Sequence, residues 1–307
     1  MAFDADMRAD RLRLKRHLSL WRGLFIVAAL GFAILLLNRG GFSDGNRIAR
    51  VIVEGVIVEN RARNEALTKI ADDPKVKAVI VVIDSPGGTV VGGEALYERL
   101  RTVAAKKPVV AIMGTVAASA AYMTAIAADR IYARQGTITG SIGVLMQTAD
   151  ITGLLAKLGI TTEAIKTAPL KATPSPLEPM TDEVRAATRK VIDDMYGMFI
   201  EMIADRRSLS HDRVLELADG RVFTGRQAVE MDLIDAIGGE EEAKAWLVEK
   251  DSAFKDLPIR TLDISDPDEE GWPTGHALTW LIRQVFGEKM QISERVTLDG
   301  LIAVWHP

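Results

Sequence analysis

The sequence of 307 residues contains no cysteine, and it has only four histidines. Without cysteine there are no disulfide bonds, no thiol nucleophile and no cysteine-ligated metal site. The histidines form neither an HExxH pattern nor a cluster with other ligands, which argues against a metal centre. The net charge is −4 and no basic stripe runs through the chain, so nothing in the sequence indicates a nucleic-acid partner.

Among the features that are present, an apolar run lies near the start of the chain. Residues 23–38 carry no charge, and with the apolar residues just before them they reach roughly 20 residues, the length that spans a bilayer. Residues 1–22 hold six basic and three acidic side chains, which predicts that they stay in the cytoplasm while the rest of the chain lies across the membrane. The alternative is a cleaved signal peptide, but Leu35–Arg39 lacks the small residues that cleavage needs. We therefore expect an uncleaved anchor, followed by a glycine-rich linker over residues 39–47.

From residue 48 onward, β-branched runs alternate with amphipathic segments, which is typical of a layered α/β fold with mostly parallel strands. Predicted strands cover Ile48–Val58, Val76–Ile83, Val109–Met113, Arg130–Ala133, Val144–Gln147 and Thr161–Lys166. Predicted helices cover Arg61–Ala71, Val91–Ala105, Ser119–Ala128, Ile151–Leu158, Asp182–Arg206, His211–Ala218, Gly225–Met231 and Glu240–Lys250. Four prolines between residues 168 and 180 predict a stiff loop, with Thr181 as N-cap of the next helix. The main domain is assigned to residues 48–250 and a C-terminal extension to residues 251–307.

Two loops of small residues each follow a predicted strand. Asp84–Gly88 reads DSPGG, and Gly114–Ser119 reads GTVAAS at the head of an alanine-rich segment. Acyl transfer needs an accessible hydroxyl close to backbone N–H groups that hold a developing oxyanion. A glycine pair lets a backbone approach a substrate closely, and a helix start leaves N–H donors unpaired. The two loops therefore predict a serine hydrolase with Ser119 as nucleophile, although Ser119 could instead simply cap the helix.

The serine needs a base, and the histidines do not supply one in a suitable loop soon after it. They are His17, His211, His276 and His306. A lysine can act as base when burial lowers the pKa of its ammonium group. Lys171 has apolar neighbours and lies in the proline-stiffened loop, whereas Lys157 and Lys166 fall on a predicted helix and at a predicted strand end, where solvation is expected. We therefore select Lys171 as the candidate base.

Three further polar residues lie in or near these loops. Ser141, in a predicted turn, could orient the amine of Lys171, or it could only bind its own backbone. Asp84 and Ser85 are expected to hold the shape of their loop rather than to act chemically.

Five separated stretches together resemble the signal peptide peptidase A family. They are Asp84–Gly88, Gly114–Tyr122, Thr139–Val144, Ile165–Pro176 and Arg221–Asp235. The resemblance implies a fold similar to that of the Clp protease and crotonase superfamily, and a Ser-Lys dyad of Ser119 as nucleophile and Lys171 as general base. It also implies an oxyanion hole formed by Gly87 or Gly88 with the N–H of Ala120. The family usually has two glycines after the nucleophile, whereas this chain has alanines, so the oxyanion geometry requires a helical or extended Ala120.

The resemblance further implies a membrane-anchored serine endopeptidase that degrades remnant signal peptides or other extended apolar peptides and needs no cofactor. Such peptides would fit a groove lined by Thr89–Val91 and Ala117–Ala118. A ring-shaped homo-oligomer is also implied, in which Lys171 serves the Ser119 of its own chain or of a neighbour. With the anchor, the catalytic domain would lie on the periplasmic side of a bacterial inner membrane. The alternatives are a crotonase-like acyl-CoA enzyme, which needs a carboxylate acid/base instead of a serine, and a non-catalytic membrane scaffold of the same fold.

Overall fold

The computed structural model describes residues 21–27, 29–30, 45–262, 264 and 302–304, and the chain forms two compact units, Met1–Gly45 and Asn46–Pro307. In the first unit, residues 21–27 and 29–30 are helical. Within the described ranges, no helix combines the length and the hydropathy needed to cross a bilayer. Residue 28 and residues 31–38 of the predicted span lie outside those ranges.

A nine-stranded sheet forms the centre of the second unit. Its strands are β1 (Arg47–Ile57), β2 (Val76–Thr89), β3 (Val109–Ala118), β4 (Arg130–Ala133), β5 (Ile138–Gly140), β6 (Val222–Thr224), β7 (Ala236–Ile237), β8 (Ile259–Thr261) and β9 (Ile302–Val304). The main path runs β6-β5-β3-β2-β1-β8, with β4 beside β3 and β7, and β9 beside β2. Pairing is parallel except between β5 and β6 and between β2 and β9. The predicted mixed α/β architecture with mostly parallel strands is confirmed.

Eight α-helices are described in the second unit. They are α1 (Arg61–Asp72), α2 (Val90–Ala104), α3 (Ala120–Ala125), α4 (Thr152–Lys157), α5 (Asp182–Arg207), α6 (His211–Leu217), α7 (Gly225–Glu230) and α8 (Glu240–Lys250). A short 3₁₀ turn, Ser252–Phe254, follows α8. Helix α5 starts as predicted after Thr181, whose hydroxyl accepts a hydrogen bond from the backbone N–H of Val184 at 3.2 Å.

The centre of the sheet is covered on both faces. Consecutive residues Val79–Val81 of β2 are fully buried, as expected for a parallel strand with helices on each side. One face packs against α1, α2 and α5 through residues such as Leu67, Leu96 and Phe199. The other face packs against α8 through residues such as Leu247. The core therefore fixes the strands firmly in register at the middle of the sheet.

The carboxyl ends of the parallel strands meet at one edge of the sheet, where ligands bind in open α/β folds. The register of β2 with β3 pairs Ser85 with Ala117, and the register of β3 with β5 pairs Ala118 with Gly140. The residues that directly follow these pairs are thus brought to the same edge.

Helix α3 ends at Ala125 and is therefore shorter than the predicted segment Ser119–Ala128, and arginine side chains bind the carbonyls that follow it. Arg206 donates hydrogen bonds to the carbonyl oxygens of Ile126 at 2.9 Å and Ala128 at 3.0 Å. Arg101 donates to the carbonyl oxygen of Ala127 at 2.9 Å. Cations at a helix C-terminus are favourable, because they offset the negative end of the helix dipole.

Two predicted strands are wrong, although helices such as Glu240–Lys250 match their prediction. Val144–Gln147 contributes one isolated bridge, and Thr161–Lys166 forms no strand. Residues 143–183 are all described, and none of them is buried. β-branched residues form a strand only where a partner strand pairs with them and a core packs against them. This segment has one bridge residue and no buried residue, which does not support a longer strand.

Candidate active site

Ser119 lies at the junction between β3 and α3 in an unusual backbone conformation, with φ 58° and ψ −120°. Such a conformation is strained for a residue other than glycine, and strain of this kind concentrates at functional sites. The backbone N–H of Ser119 donates to the carbonyl oxygen of Gly140 at 2.8 Å, and the residue is 1% exposed. Its side chain makes no capping hydrogen bond to α3, so the interpretation of Ser119 as a helix cap is wrong.

Ala120, the residue after the candidate nucleophile Ser119, has the helical backbone that the predicted oxyanion geometry requires of an alanine at this position. It is the first residue of α3 and therefore helical, and the positive φ falls on Ser119 instead. The opening residues of a helix have backbone N–H groups without intrahelical partners. The N–H of Ala120 is therefore available to an oxyanion.

At the end of β2, the positions of Gly87 and Gly88 can be occupied only by residues without a side chain. Gly87 has φ 110°, and a Cβ placed on Gly88 would lie 1.8 Å from the carbonyl oxygen of Ile57. The hydroxyl of Ser85 donates to the carbonyl oxygen of Gly55 at 2.6 Å and accepts from the N–H of Gly87 at 3.1 Å. The prediction that Ser85 holds the loop is confirmed. Because the N–H of Gly87 is already used, Gly88 is the better candidate for the oxyanion hole.

The start of α2 packs directly against the helix that begins after Ser119. A Cβ on Gly93 would lie 3.0 Å from the Cβ of Ala120, and Val90 and Ala120 belong to one buried cluster. Of the residues expected to line a substrate groove, Val91 is 46% exposed, whereas Ala117 and Ala118 are fully buried. Thr89 and Val90 are also buried, at 7% and 2% exposed, so Val91 is the one residue of the expected groove lining that is exposed in the described structure.

Ser141 is close to Ser119 along the backbone, because it follows Gly140, whose carbonyl oxygen accepts from the N–H of Ser119. It has φ 49°, it is half-buried, and its own N–H donates to the carbonyl oxygen of Arg221 at 2.8 Å. The predicted turn at Thr139-Gly140 belongs instead to β5. The structure thus brings Ser119, Ala120, Gly88 and Ser141 to one edge of the sheet.

Lys171 lies in the long exposed segment between α4 and α5. Its backbone N–H donates to the carbonyl oxygen of Ala168 at 3.1 Å, and its side chain is exposed. Within the described part of the chain, no hydrogen bond or ion pair joins this side chain to Ser119 or to any other residue. The ammonium of Lys166 is instead paired with the carboxylate of Glu178, and Lys157 is exposed at the end of α4.

The remaining candidates for chemistry are few. His211 is exposed at the start of α6, as its position after Ser210 predicted, and the other three histidines lie outside the described residues. In the ranges that the structure describes, no group of three or more histidine or acidic side chains could hold a metal ion. Sequence reasoning missed Thr137 and Thr139, which are buried and whose hydroxyls donate to the carbonyl oxygens of Gly114 and Ala117, both at 2.7 Å. The only signal for them was their place just before Gly140.

Comparisons with known proteins agree with a peptidase site. The family model described as Peptidase family S49 matches residues 101–253. A protein of Synechocystis sp. whose name describes it as a protease is 36% identical over 261 residues, which cover 84% of this chain and 90% of that protein. The chain belongs to peptidase family S49.

Other S49 relatives carry more specific names. A protein of Enterococcus faecium named for signal peptide peptidase SppA is 31% identical over 273 residues, covering 83% of this chain and 76% of that protein. The chloroplastic serine protease SPPA of Arabidopsis thaliana is 34% identical over 207 residues, but the match spans only 30% of its length. As an S49 member, the chain is a serine peptidase, which decides against the acyl-CoA enzyme and the non-catalytic scaffold.

Solved structures similar to this S49 peptidase include two proteases, each with 16% sequence identity. A membrane-bound stomatin-specific protease mutant gives a TM-score of 0.48 over 73% of this chain and 100% of that chain. A ClpP1 mutant from Listeria monocytogenes gives a TM-score of 0.42 over 63% of this chain and 92% of that chain.

Proposed function

We propose that this serine peptidase uses Ser119 as nucleophile and Lys171 as general base. The observation that carries the proposal is the strained backbone of Ser119 at a strand–helix junction, with a hydroxyl that caps nothing. A sharp strand-to-helix turn is a known way to present a nucleophilic serine. The segment 143–183 contains three lysines, of which Lys166 is ion-paired and Lys157 lies on a helix. Lys171 is neither, and it therefore fits the role of base.

The reaction then proceeds through an acyl-enzyme. The hydroxyl oxygen of Ser119 attacks the peptide carbonyl carbon while the neutral amine of Lys171 takes the hydroxyl proton. The negative oxygen of the tetrahedral intermediate accepts hydrogen bonds from the N–H groups of Ala120 and Gly88. As the C–N bond breaks, the ammonium of Lys171 gives its proton to the leaving amine. Water then attacks the ester carbonyl carbon while the neutral amine of Lys171 takes its proton. As the ester C–O bond breaks, the ammonium returns that proton to the oxygen of Ser119 and the acid product leaves. Ser141 orients the amine between these transfers.

The substrates are extended apolar peptides such as remnant signal peptides. A peptide would bind as an additional strand along Gly87–Thr89, so that its scissile bond lies close to Ser119. This proposal is supported by β9, which pairs antiparallel with the same three residues. The exposed side chain of Val91 would offer an apolar contact next to that edge.

The base reaches the nucleophile of a neighbouring subunit in a ring-shaped homo-oligomer. Residues 143–183, which include Lys171, contain no buried side chain. Large apolar side chains are nevertheless exposed along this segment: Leu145, Ile151, Leu154, Leu158, Ile160, Ile165, Leu170 and Leu177. A dense series of exposed apolar residues indicates a surface that another protein covers. A second copy covering this segment would also remove Lys171 from water.

The enzyme is anchored by residues 23–38 in a bacterial inner membrane, with its N-terminus in the cytoplasm and its catalytic domain in the periplasm. The support is the uncharged apolar run and the excess of basic residues before it.

A fluorophosphonate probe tests the nucleophile and the anchor in one experiment. We expect covalent labelling of the wild-type chain at Ser119, none in Ser119→Ala, and peptide turnover reduced by about 10³-fold or more in Lys171→Ala. Lys157→Ala, which changes another exposed lysine of the segment, should keep wild-type activity. Labelled protein should sediment with membranes and be released when residues 1–38 are removed. No adduct on active protein would refute the nucleophile, and turnover that survives Lys171→Ala would refute the base.

A further inference from the structure

The strand that leads to Ser119 contains an irregularity just before the site. Ile83 of β2 pairs with Met113 of β3, but the next pair is Ser85 with Ala117. Strand β3 therefore advances from residue 113 to 117 while β2 advances from 83 to 85. The extra residues form a bulge at Gly114–Val116. Bulges bend a strand, change the direction of the side chains that follow, and are common next to active sites.

Neighbouring side chains make hydrogen bonds to the backbone of β3 at the bulge, where a regular strand ladder would use backbone partners. The N–H of Val116 donates to Oδ1 of Asp84 at 3.1 Å. The carbonyl oxygens of Gly114 and Ala117 accept from the hydroxyls of Thr137 and Thr139, both at 2.7 Å. The bulge thus has a defined shape, since polar groups from both adjacent strands hold its backbone.

Asp84 lies against the bulge closely enough to determine its path. A Cβ added to Gly114 would lie 2.8 Å from Oδ2 and 2.9 Å from Cγ of Asp84. The carboxylate therefore occupies the place where a side chain at position 114 would be, and it binds the backbone two residues later. The contact of Asp84 with Gly114 and its hydrogen bond to Val116 therefore restrict the path of the chain between Met113 and Ala117.

We propose that Asp84, acting through the N–H of Val116, is a positioning residue that sets the direction in which β3 presents Ser119. This rests on the proposed role of Ser119 as nucleophile. A misplacement of about 1 Å at a reacting atom can reduce turnover by about 100-fold. Loss of the hydrogen bond at the bulge would thus lower the rate of attack, while the edge Gly87–Thr89 would still bind peptide.

Asp129 offers a control at the opposite end of β3. It is more exposed than Asp84, its Oδ2 accepts from the N–H of Val109 at 3.0 Å, and its Oδ1 lies 3.7 Å from the guanidinium of Arg101. Asp84→Ala and Asp129→Ala each remove one hydrogen bond between a carboxylate and the backbone of β3, and Asp129→Ala also removes the ion pair with Arg101. Asp84→Asn keeps an oxygen that can accept from Val116 and removes only the charge.

The experiment compares kcat, KM, fluorophosphonate labelling rate and pH profile of these three full-length variants, each at a temperature where it is folded. For Asp84→Ala we expect kcat and labelling rate to fall at least about 10-fold, with KM within about twofold and the midpoint of the pH profile unchanged. Asp84→Asn should recover most of the loss, and Asp129→Ala should keep wild-type kcat.

Equal kcat in Asp84→Ala and Asp129→Ala would overturn the positioning role, and so would an Asp84→Asn variant as slow as Asp84→Ala. The amide hydrogen exchange of Val116, measured in a Ser119→Ala background, reads the hydrogen bond without any chemistry. It should accelerate in Asp84→Ala, and unchanged exchange would also overturn the inference. A wild-type chain that is not labelled at Ser119 would refute the proposed function instead, so the two failures are distinguishable.

Discussion

The hydroxyl of Tyr122 links helix α3, which follows the candidate nucleophile, to the core. Tyr122 lies in the first turn of α3, it is fully buried, and its hydroxyl donates to the carbonyl oxygen of Leu233 at 2.8 Å. Burial raises the pKa of the Tyr122 hydroxyl far above its usual range, because the charged phenolate would lose its hydration. The phenol therefore stays neutral in the folded protein at any ordinary pH.

Replacement Tyr122→Phe should reduce the free energy of unfolding by about 1–3 kcal/mol at neutral pH, since it leaves the carbonyl of Leu233 unpaired. Above pH of about 10 the unfolded tyrosine loses its proton while the folded one keeps it, so wild-type stability declines with rising pH. The variant lacks this decline, which amounts to at most about 1.4 kcal/mol per pH unit. Denaturant unfolding at pH 7 to 10.5 measures both effects, with Tyr196→Phe as a less buried comparison. Parallel pH curves for wild type and Tyr122→Phe would contradict the argument.

Single residues of the site differed in how well the sequence predicted them. Ser119 and the glycine pair could be predicted because a small-residue loop before a helix is a local pattern. The contact of Asp84 with Val116 could not, because it depends on the register between two strands. The exposure of Lys171 was also beyond local reasoning, since burial depends on what the whole segment packs against.

At the scale of secondary structure elements, β9 occupies the edge that we assign to substrates. Three residues of the C-terminal extension pair antiparallel with Gly87–Thr89. A peptide that binds there as a strand must displace this segment of the same chain. The free energy of displacement is then lost from the binding of every substrate.

A chain that ends at Gly300 should have a higher kcat/KM for peptides than the full chain, by about 3- to 10-fold, because β9 no longer competes for the edge. A chain that lacks only residues 305–307 keeps β9 and serves as the control. Steady-state kinetics on one peptide compare the two truncations with the full chain. Equal or lower activity after truncation at Gly300 would contradict the assignment of this edge to the substrate.

The long elements could be predicted from the sequence, and the short ones could not. Helices such as Glu240–Lys250 and strands such as Val76–Thr89 have enough residues for a periodic pattern, although the observed strand extends past the predicted end at Ile83. Strands of two or three residues, such as β5 and β7, exist because a neighbouring strand is there to pair with. The false strand at Thr161–Lys166 shows the reverse case, in which β-branched residues have no partner.

For the whole molecule, the segment 143–183 separates the candidate base from the core. Every other part of the candidate site lies at the carboxyl edge of the sheet, where packed strands fix it. The base lies instead on a surface whose apolar side chains are exposed in the single chain, including Ile165 at 97%. Assembly would therefore complete both the packing of this segment and the catalytic site.

Mixing two inactive variants tests this division of the site. If Lys171 acts on the neighbouring subunit, an equal mixture of Ser119→Ala and Lys171→Ala chains, assembled together, should regain about a quarter of wild-type activity per subunit in a ring. Half of the chains then carry the serine, and half of those have a neighbour with the lysine. Each variant mixed with the double variant Ser119→Ala/Lys171→Ala controls for assembly and should stay inactive. No recovery in the first mixture would show that the lysine serves its own chain.

If Lys171 acts on the Ser119 of a neighbouring subunit, as proposed, the exposed segment 143–183 has a consequence for the timing of proteolysis in the cell. In a newly made single chain, the hydroxyl of Ser119 would have no base to accept its proton. The enzyme would therefore stay inactive during export and folding. Hydrolysis would begin only once enough copies have accumulated to meet. Confinement to a two-dimensional surface would favour such encounters, so the local density of the enzyme would itself act as the switch.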